Sequence, residues 1–105
     1  MPEELVTSLD RDADTATVAL HGEVDVATVD QVRVALTDAI AGRPRTIVVD
    51  LSDLSFIDST GLGALIFGFQ RCRDSGIHFR LARPTRGVRQ ILVLSGILEV
   101  VDLQD

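Results

Sequence analysis

The chain has 105 residues, the size of one ordinary domain, and 46% of them are hydrophobic, enough for a core without metals or disulfides. Sixteen acidic side chains against ten basic ones give a formal net charge of −6, so we expect no nucleic-acid partner. The single cysteine, Cys72, excludes an internal disulfide, and the longest apolar stretch, residues 62–69, is far shorter than the roughly 20 residues of a membrane span. With no signal-peptide pattern at its start, the sequence predicts one cytoplasmic domain over residues 1–105.

Two short segments rich in β-forming residues open the chain, at residues 5–9 and 15–21. The second alternates between two sets of side chains, as a half-exposed strand does. An aspartate at every second position from residue 10 to residue 14 marks a tight polar turn between them. The sequence therefore predicts an opening β-hairpin.

A helix is predicted next. Thr28 and Gln31 fit a capping box, in which both side chains bond to free backbone N–H groups, and apolar residues then recur at helical spacing as far as Ile40. Gly42 suits the left-handed position after the last turn, and Pro44 prevents the helix from continuing.

A nearly continuous apolar run at residues 46–51 predicts a strand that is covered on both faces. A polar segment follows it, in which Leu54 and Phe56 are the expected buried anchors. The next helix presents one apolar face and ends at Gly76; its apolar positions are Leu62, Leu65, Ile66, Phe69 and Cys72.

The last third of the chain predicts a strand at residues 77–81, a helix from Pro84 to Gly96, and a short strand at residues 97–101. The order is thus β-β-α-β-α-β-α-β. This order predicts the α/β class, with a mixed sheet of four to five strands flanked by helices.

The segment with the most chemistry is Asp58-Ser59-Thr60-Gly61, between a strand end and a helix start. Backbone N–H groups at a helix start are unpaired and carry partial positive charge, so a phosphate there would find donors. The simpler interpretation is that these residues only cap the helix. Three glycines in this helix indicate a close approach by the sheet or by a partner, and the sequence leaves both open; they are Gly61, Gly63 and Gly68.

Three segments of the chain carry a shared family pattern. They are Gly22-Glu23-Val24-Asp25, Val49-Asp50-Leu51 and Phe56-Ile57-Asp58-Ser59-Thr60-Gly61-Leu62-Gly63. In sequence and order they closely resemble the STAS family (sulfate transporter and anti-sigma factor antagonist), over roughly residues 5–101. In the antagonist branch the serine after that aspartate accepts a phosphate. The resemblance therefore implies that Ser59 is the phosphoacceptor, with Thr60 as a secondary candidate.

The resemblance also implies a partner switch. The unphosphorylated antagonist binds an anti-sigma factor that is a serine kinase and so releases a sigma factor; phosphorylation ends the complex, and a serine phosphatase resets it. The expected interface comprises Gly22, Glu23, Asp25, Asp53, Asp58, Ser59, Thr60, Gly61 and Gly63. No cofactor, metal ion or catalytic activity is implied.

One alternative within the family is a STAS subunit that is never phosphorylated and binds a small ligand or a transport complex. Nucleotide binding is disfavoured because the third glycine position of a dinucleotide fingerprint holds Ile66. A zinc site is disfavoured because His21 and His78 lack further ligands at suitable spacing. An enzyme is disfavoured because no nucleophile and base converge in the sequence.

Overall fold

The computed structural model describes residues 4–105. Its elements are β1 (Val6–Asp12), β2 (Thr15–Val24), α1 (Val29–Ala41), β3 (Thr46–Ile57), α2 (Ser59–Asp74), β4 (His78–Ala82), α3 (Arg86–Ser95), a 3-10 turn (Ile97–Glu99) and β5 (Asp102–Gln104). The α/β class, the opening hairpin and the mixed sheet are confirmed. Within residues 4–105, no helix combines the length and the apolar character that crossing a membrane requires.

The five strands lie in the sheet in chain order, β1-β2-β3-β4-β5. β1 pairs antiparallel with β2, and every later neighbour is parallel. Right-handed crossovers that always step in the same direction place their helices on one face of the sheet. All three helices accordingly contribute to one core together with one face of the strands.

Alternation along the strands shows that only one face of the sheet is fully covered. Ile47, Val49 and Leu51 are buried, whereas Thr46, Val48 and Asp50 remain partly exposed. The expectation that residues 46–51 are covered on both faces is therefore wrong. The reason is topological, because a strand order without reversal leaves the second face without a helix.

Strand β3 runs to Ile57 and so includes the polar segment that the sequence analysis placed after the strand. Two register shifts between β2 and β3 change which side chains point inward. Leu54 is buried as predicted, but Phe56 lies opposite Glu23 and is 44% exposed, so its prediction as a buried anchor is wrong.

The ends of α1 differ from the sequence prediction in two ways. Thr28 makes no capping bond; its hydroxyl instead donates to the carbonyl of Glu23, so the capping box is wrong. Gly42 has a right-handed conformation, and Arg43 adopts the positive φ of 51°. A Cβ at Gly42 would lie 2.3 Å from a guanidinium nitrogen of Arg11, so the missing side chain leaves room for this flexible group.

The strand predicted at residues 97–101 is also wrong. Ile97 and Val101 are both buried four residues apart, which is helical spacing, and the segment begins as a 3-10 turn after the left-handed Gly96. The last strand, β5, starts at Asp102, one residue after the predicted strand was expected to end, and it pairs with β4. The third helix begins two residues after Pro84 and is capped by Thr85, whose hydroxyl accepts from the N–H of Val88 at 3.4 Å.

Candidate functional site

Strands β2 and β3 end side by side, and each is followed by an aspartate. The backbone N–H of Asp58 donates to the carbonyl of Val24 at 3.2 Å, which joins the two strand ends. Asp25 follows Val24, and Ser59 begins helix α2 immediately after Asp58. Parallel pairing therefore brings the Gly22–Asp25 motif and the Asp58–Gly61 motif to the same edge of the sheet, although they are far apart in sequence.

Asp58 is the N-cap of helix α2. Its Oδ1 accepts hydrogen bonds from the backbone N–H groups of Thr60 at 3.0 Å and Gly61 at 3.1 Å, and from the Thr60 hydroxyl at 2.5 Å. The hydrogen bond from the Thr60 hydroxyl is the largest effect on the pKa of Asp58 and lowers it; burial opposes this, the backbone N–H groups add to it, and the net pKa is lowered. The carboxylate is therefore fully ionised near neutral pH and is committed to the helix start.

Ser59 and Thr60 differ in the freedom of their hydroxyl groups. Thr60 is half-buried, and its hydroxyl donates to Asp58. Ser59 is exposed at the first helical position, and its hydroxyl bonds to nothing among residues 4–105. Only Ser59 therefore offers a hydroxyl to an incoming enzyme without breaking a contact that holds the helix start.

The turn between β2 and α1 forms the neighbouring wall of the site. Oδ1 of Asp25 accepts from the N–H groups of Ala27 at 2.9 Å and Thr28 at 3.2 Å, which fixes the turn. This turn holds the side chain of Val26 in solvent, where it is 77% exposed. An apolar residue that a rigid turn presents to solvent beside the helix start is available for contact with a partner.

The three glycines of α2 have different surroundings. A Cβ at Gly61 would lie 2.6 Å from Cγ1 of Ile57, and one at Gly68 would lie 2.8 Å from Cδ1 of Leu36. A Cβ at Gly63 would meet nothing within 4 Å. The close approach is thus made by the core at Gly61 and Gly68, and only Gly63 leaves open surface.

Gly22 lies below the surface of the site. Its φ of 120° suits only glycine, and a Cβ there would lie 2.3 Å from the carbonyl oxygen of Glu4. Its own carbonyl accepts from the Ser55 hydroxyl at 2.9 Å. The structure gives Gly22 a role in packing the strands, while its part in partner binding stays a prediction.

Asp53 is the predicted site residue that the fold separates from Ser59. It precedes Asp58 by five residues along β3, roughly 16 Å of extended chain. Its carboxylate lies 3.9 Å from Nδ1 of His21, and its side chain is 72% exposed. At this distance it acts only weakly on a charge at Ser59, because salt screens exposed charges beyond about 8–10 Å.

Sequence reasoning missed the exposed apolar residues on the three elements that meet at the serine. Phe67 lies on the exposed side of α2, four residues after Gly63 and eight after Ser59, and is 38% exposed. Val26 and Phe56 are exposed on the adjoining turn and strand. The four-residue spacing on the polar side of the helix was the available signal for Phe67; no signal existed for Phe56, since its orientation depends on the register shifts.

The fold and the site together define a small α/β domain with an exposed serine at the start of a helix, between two strand ends and beside exposed apolar side chains. The chain belongs to the STAS domain family, whose model matches residues 7–105.

The chain is similar to proteins named anti-sigma factor antagonists. One from Paenibacillus polymyxa, an anti-sigma F factor antagonist, is 32% identical over 89 residues, which cover 84% of this chain and 76% of that protein. The crystal structure of an anti-sigma factor antagonist from Mycobacterium paratuberculosis shares the fold with a TM-score of 0.88, over 96% of this chain and 86% of the other, at 23% identity.

A further relative, SpoIIAA, has been solved in two forms. The unphosphorylated anti-sigma factor antagonist gives a TM-score of 0.78 at 26% identity, over 93% of this chain and 87% of that chain. The phosphorylated form, described as a Bacillus cell fate determinant, gives a TM-score of 0.71 at 25% identity, over 93% of this chain and 90% of that chain.

Proposed function

We propose that this chain is an anti-sigma factor antagonist that is switched by phosphorylation of Ser59. In the unphosphorylated form it binds an anti-sigma factor that is also a serine kinase, and this binding releases a sigma factor. Phosphorylation by that kinase ends the complex, and a serine phosphatase restores the active form. The chain itself catalyses nothing in this scheme, which operates in the cytoplasm, where sigma factors bind RNA polymerase.

The observation that carries the proposal is the free, exposed hydroxyl of Ser59 on a helix start that Asp58 already holds in place. A kinase can reach this oxygen without unfolding the corner. Thr60 is disfavoured as an acceptor, because its phosphorylation would break the 2.5 Å bond to Asp58 and expose a half-buried side chain.

The added charge explains how the phosphate would end a complex. A phosphoserine carries about −1.5 to −2 charges at neutral pH. At Ser59 it would lie next to the ionised Asp58. The backbone N–H groups of Thr60 and Gly61 already donate to that carboxylate, so they are not free to bind the phosphate. The neighbouring turn also presents the exposed apolar side chain of Val26 beside this helix start. A partner that packs on this surface would have to remove water from the phosphate, at a large free-energy cost.

The relatives support this role. Those named above are called anti-sigma factor antagonists, and SpoIIAA resembles this chain in both its unphosphorylated and its phosphorylated structures. A switch that acts by a local clash, without refolding, is consistent with that resemblance.

The first test is phosphopeptide mapping of the protein isolated from its native cells, in growth and under stress. We expect a phosphate on Ser59 whose occupancy changes with the condition, and none on Thr60. A well-covered peptide that never carries phosphate would favour the alternative of a STAS subunit that binds a small ligand or a transport complex.

The second test is a binding titration against the anti-sigma kinase. We expect Ser59→Asp to weaken binding at least tenfold and Ser59→Ala to retain it. Ser8→Asp is the matched control, because it adds the same charge at an exposed serine on β1, outside the site. Ser59→Asp should not destabilise the fold, since an acidic residue in the first turn of a helix is favourable. Equal affinities for wild type and Ser59→Asp would contradict the proposal.

A further inference from the structure

A basic depression lies at the end of the sheet opposite Ser59. The segment between α1 and β3 and the segment between α2 and β4 enclose about 420 Å³ there. Its floor is apolar, formed by Ile40, Pro44 and Ile77, and its rim carries Arg43, Arg45 and Arg71. Strand β3 begins beside this depression and ends at the serine, 12 residues or roughly 35 Å of strand away.

The end of helix α1 does not explain these arginines. Cations near a helix C-terminus often compensate the helix dipole. In α1, however, Arg11 already has this role: its Nη2 donates to the carbonyl of Asp38 at 2.9 Å, and its Nη1 donates to that of Ala39 at 3.5 Å. The absence of a side chain at Gly42 makes room for that guanidinium. Arg43 and Arg45 are therefore not needed to stabilise this end.

The last turn of helix α2 is likewise satisfied by the backbone. The N–H of Ser75 donates to the carbonyls of Arg71 and Cys72, and the N–H of Ile77 donates to Cys72 at 2.8 Å. The guanidinium carbon of Arg71 lies 5.7 Å from the centre of the Phe67 ring. Stacking on an aromatic face leaves the in-plane N–H donors of a guanidinium available for another ligand.

The rim arginines also lack strong acidic partners. Within residues 4–105, no carboxylate forms an ion pair with Arg43 or Arg71. Arg45 lies 3.7 Å from Asp14, but the two side chains are 85% and 75% exposed, so this pair contributes little. Three weakly compensated guanidinium groups around one depression are a marked local excess in a chain with a net charge of −6.

The backbone adds a second observation at Arg43. Its φ of 51° is a left-handed conformation that favours glycine or asparagine, and Pro44 follows directly. An arginine occupies this position although a smaller residue would fit the backbone better. The left-handed residue ends helix α1, and its cationic side chain lies on the rim of the depression.

We propose that this depression binds a di- or triphosphate group. Guanidinium forks match phosphate oxygens in geometry and charge, and the hydroxyl of Ser75, which also lines the depression, can add a hydrogen bond. Orthophosphate, with less charge, should bind more weakly than pyrophosphate or triphosphate. The site needs nothing of Ser59, so a ligand could bind while the opposite end holds a partner.

The test is calorimetric titration of the full chain with inorganic pyrophosphate and triphosphate at constant ionic strength. We expect saturable binding that Arg43→Gln and Arg71→Gln each weaken by about three- to tenfold, as for the loss of one partly exposed charge-assisted contact. Arg86→Gln is the matched control, because this exposed arginine at the start of α3 lies outside the depression. Ser59→Asp should bind pyrophosphate like the wild type, which separates this test from that of the switch.

Adenosine diphosphate distinguishes the sources of the phosphate group. Tighter binding than that of pyrophosphate would indicate that a nucleoside contacts the apolar floor, and equal or weaker binding would indicate recognition of the phosphates alone; both results support the site. No saturable binding of pyrophosphate or triphosphate at low millimolar concentration would overturn the proposal. So would equal losses in Arg43→Gln and Arg86→Gln, because binding would then reflect overall charge only.

Discussion

The glycine pair in the first turns of α2 offers a sharp test of the packing beneath Ser59. Gly61 and Gly63 are two residues apart in one helix, yet they face opposite surroundings. A methyl group at Gly61 would lie 2.6 Å from Cγ1 of Ile57 and 2.7 Å from Cγ1 of Val24, both of which are buried strand residues. A methyl group at Gly63 would point into open space.

The two alanine substitutions should therefore change stability in opposite directions. Alanine in place of a helical glycine contributes about 0.5–1 kcal/mol in either position. Overpacking a tight core site costs about 1–3 kcal/mol, because Ile57 and Val24 are β-branched and cannot move aside easily. Gly61→Ala should thus destabilise the protein by about 1–2 kcal/mol, whereas Gly63→Ala should stabilise it by about 0.5–1 kcal/mol.

Urea denaturation measures both effects. With a slope of about 1–1.5 kcal/mol/M, as expected for a small domain, Gly61→Ala should lower the midpoint by about 1 M and Gly63→Ala should raise it by about 0.5 M. The slopes should stay equal to that of the wild type. An unchanged or raised midpoint for Gly61→Ala would refute the argument that the core approaches the helix there. If Gly63→Ala showed the expected gain in stability but bound the proposed anti-sigma kinase more weakly, the partner would contact this open surface.

Two further predictions concern the cap and the cysteine. Asp58→Ala should cost about 1–2 kcal/mol near neutral pH through loss of the N-cap. Because the folded pKa of Asp58 lies below its ordinary value of 3.8, the stability that its charge contributes is present above that value and is lost as the pH falls through the folded pKa. The difference in the free energy of unfolding between wild type and Asp58→Ala, measured by urea denaturation, should therefore become smaller at low pH. A difference that stays constant down to pH ~3 would contradict an ionised cap. Burial raises the pKa of the Cys72 thiol to about 11, so native protein at pH ~8 should react with a disulfide reagent only through opening. Gly61→Ala should then speed that labelling roughly tenfold, and prompt labelling of the native wild type would show that the thiol is accessible.

The local pattern of the sequence determines most of the secondary structure. Helical spacing places α1, α2 and α3, although both end signals of α1 were wrong, and the alternation in β2 predicts the opening hairpin. The serine corner can also be read locally, because Asp58 and the residues after it carry a helix-start pattern whatever lies beneath them. Physically, caps and periodicity depend on neighbours within about four residues along the chain.

Pairing between distant segments explains the features that the sequence did not predict. Residues 52–57 are polar, yet they join β3 because β2 supplies a parallel partner for them. The bulges in that pairing turn Phe56 outward and Leu54 inward. Strand order likewise leaves one face of the sheet without helices.

By itself, the sequence determined the α/β class, the order of the elements and the resemblance to STAS proteins, and through that resemblance it predicts Ser59 as the phosphoacceptor. Only the tertiary structure decided that Thr60 is bound to Asp58, that Asp53 lies away from Ser59, and that three arginines meet at the opposite end. The reason is that a cap is set within one turn of chain, whereas the meeting of loops depends on register, strand order and crossover direction. These are properties of the whole sheet.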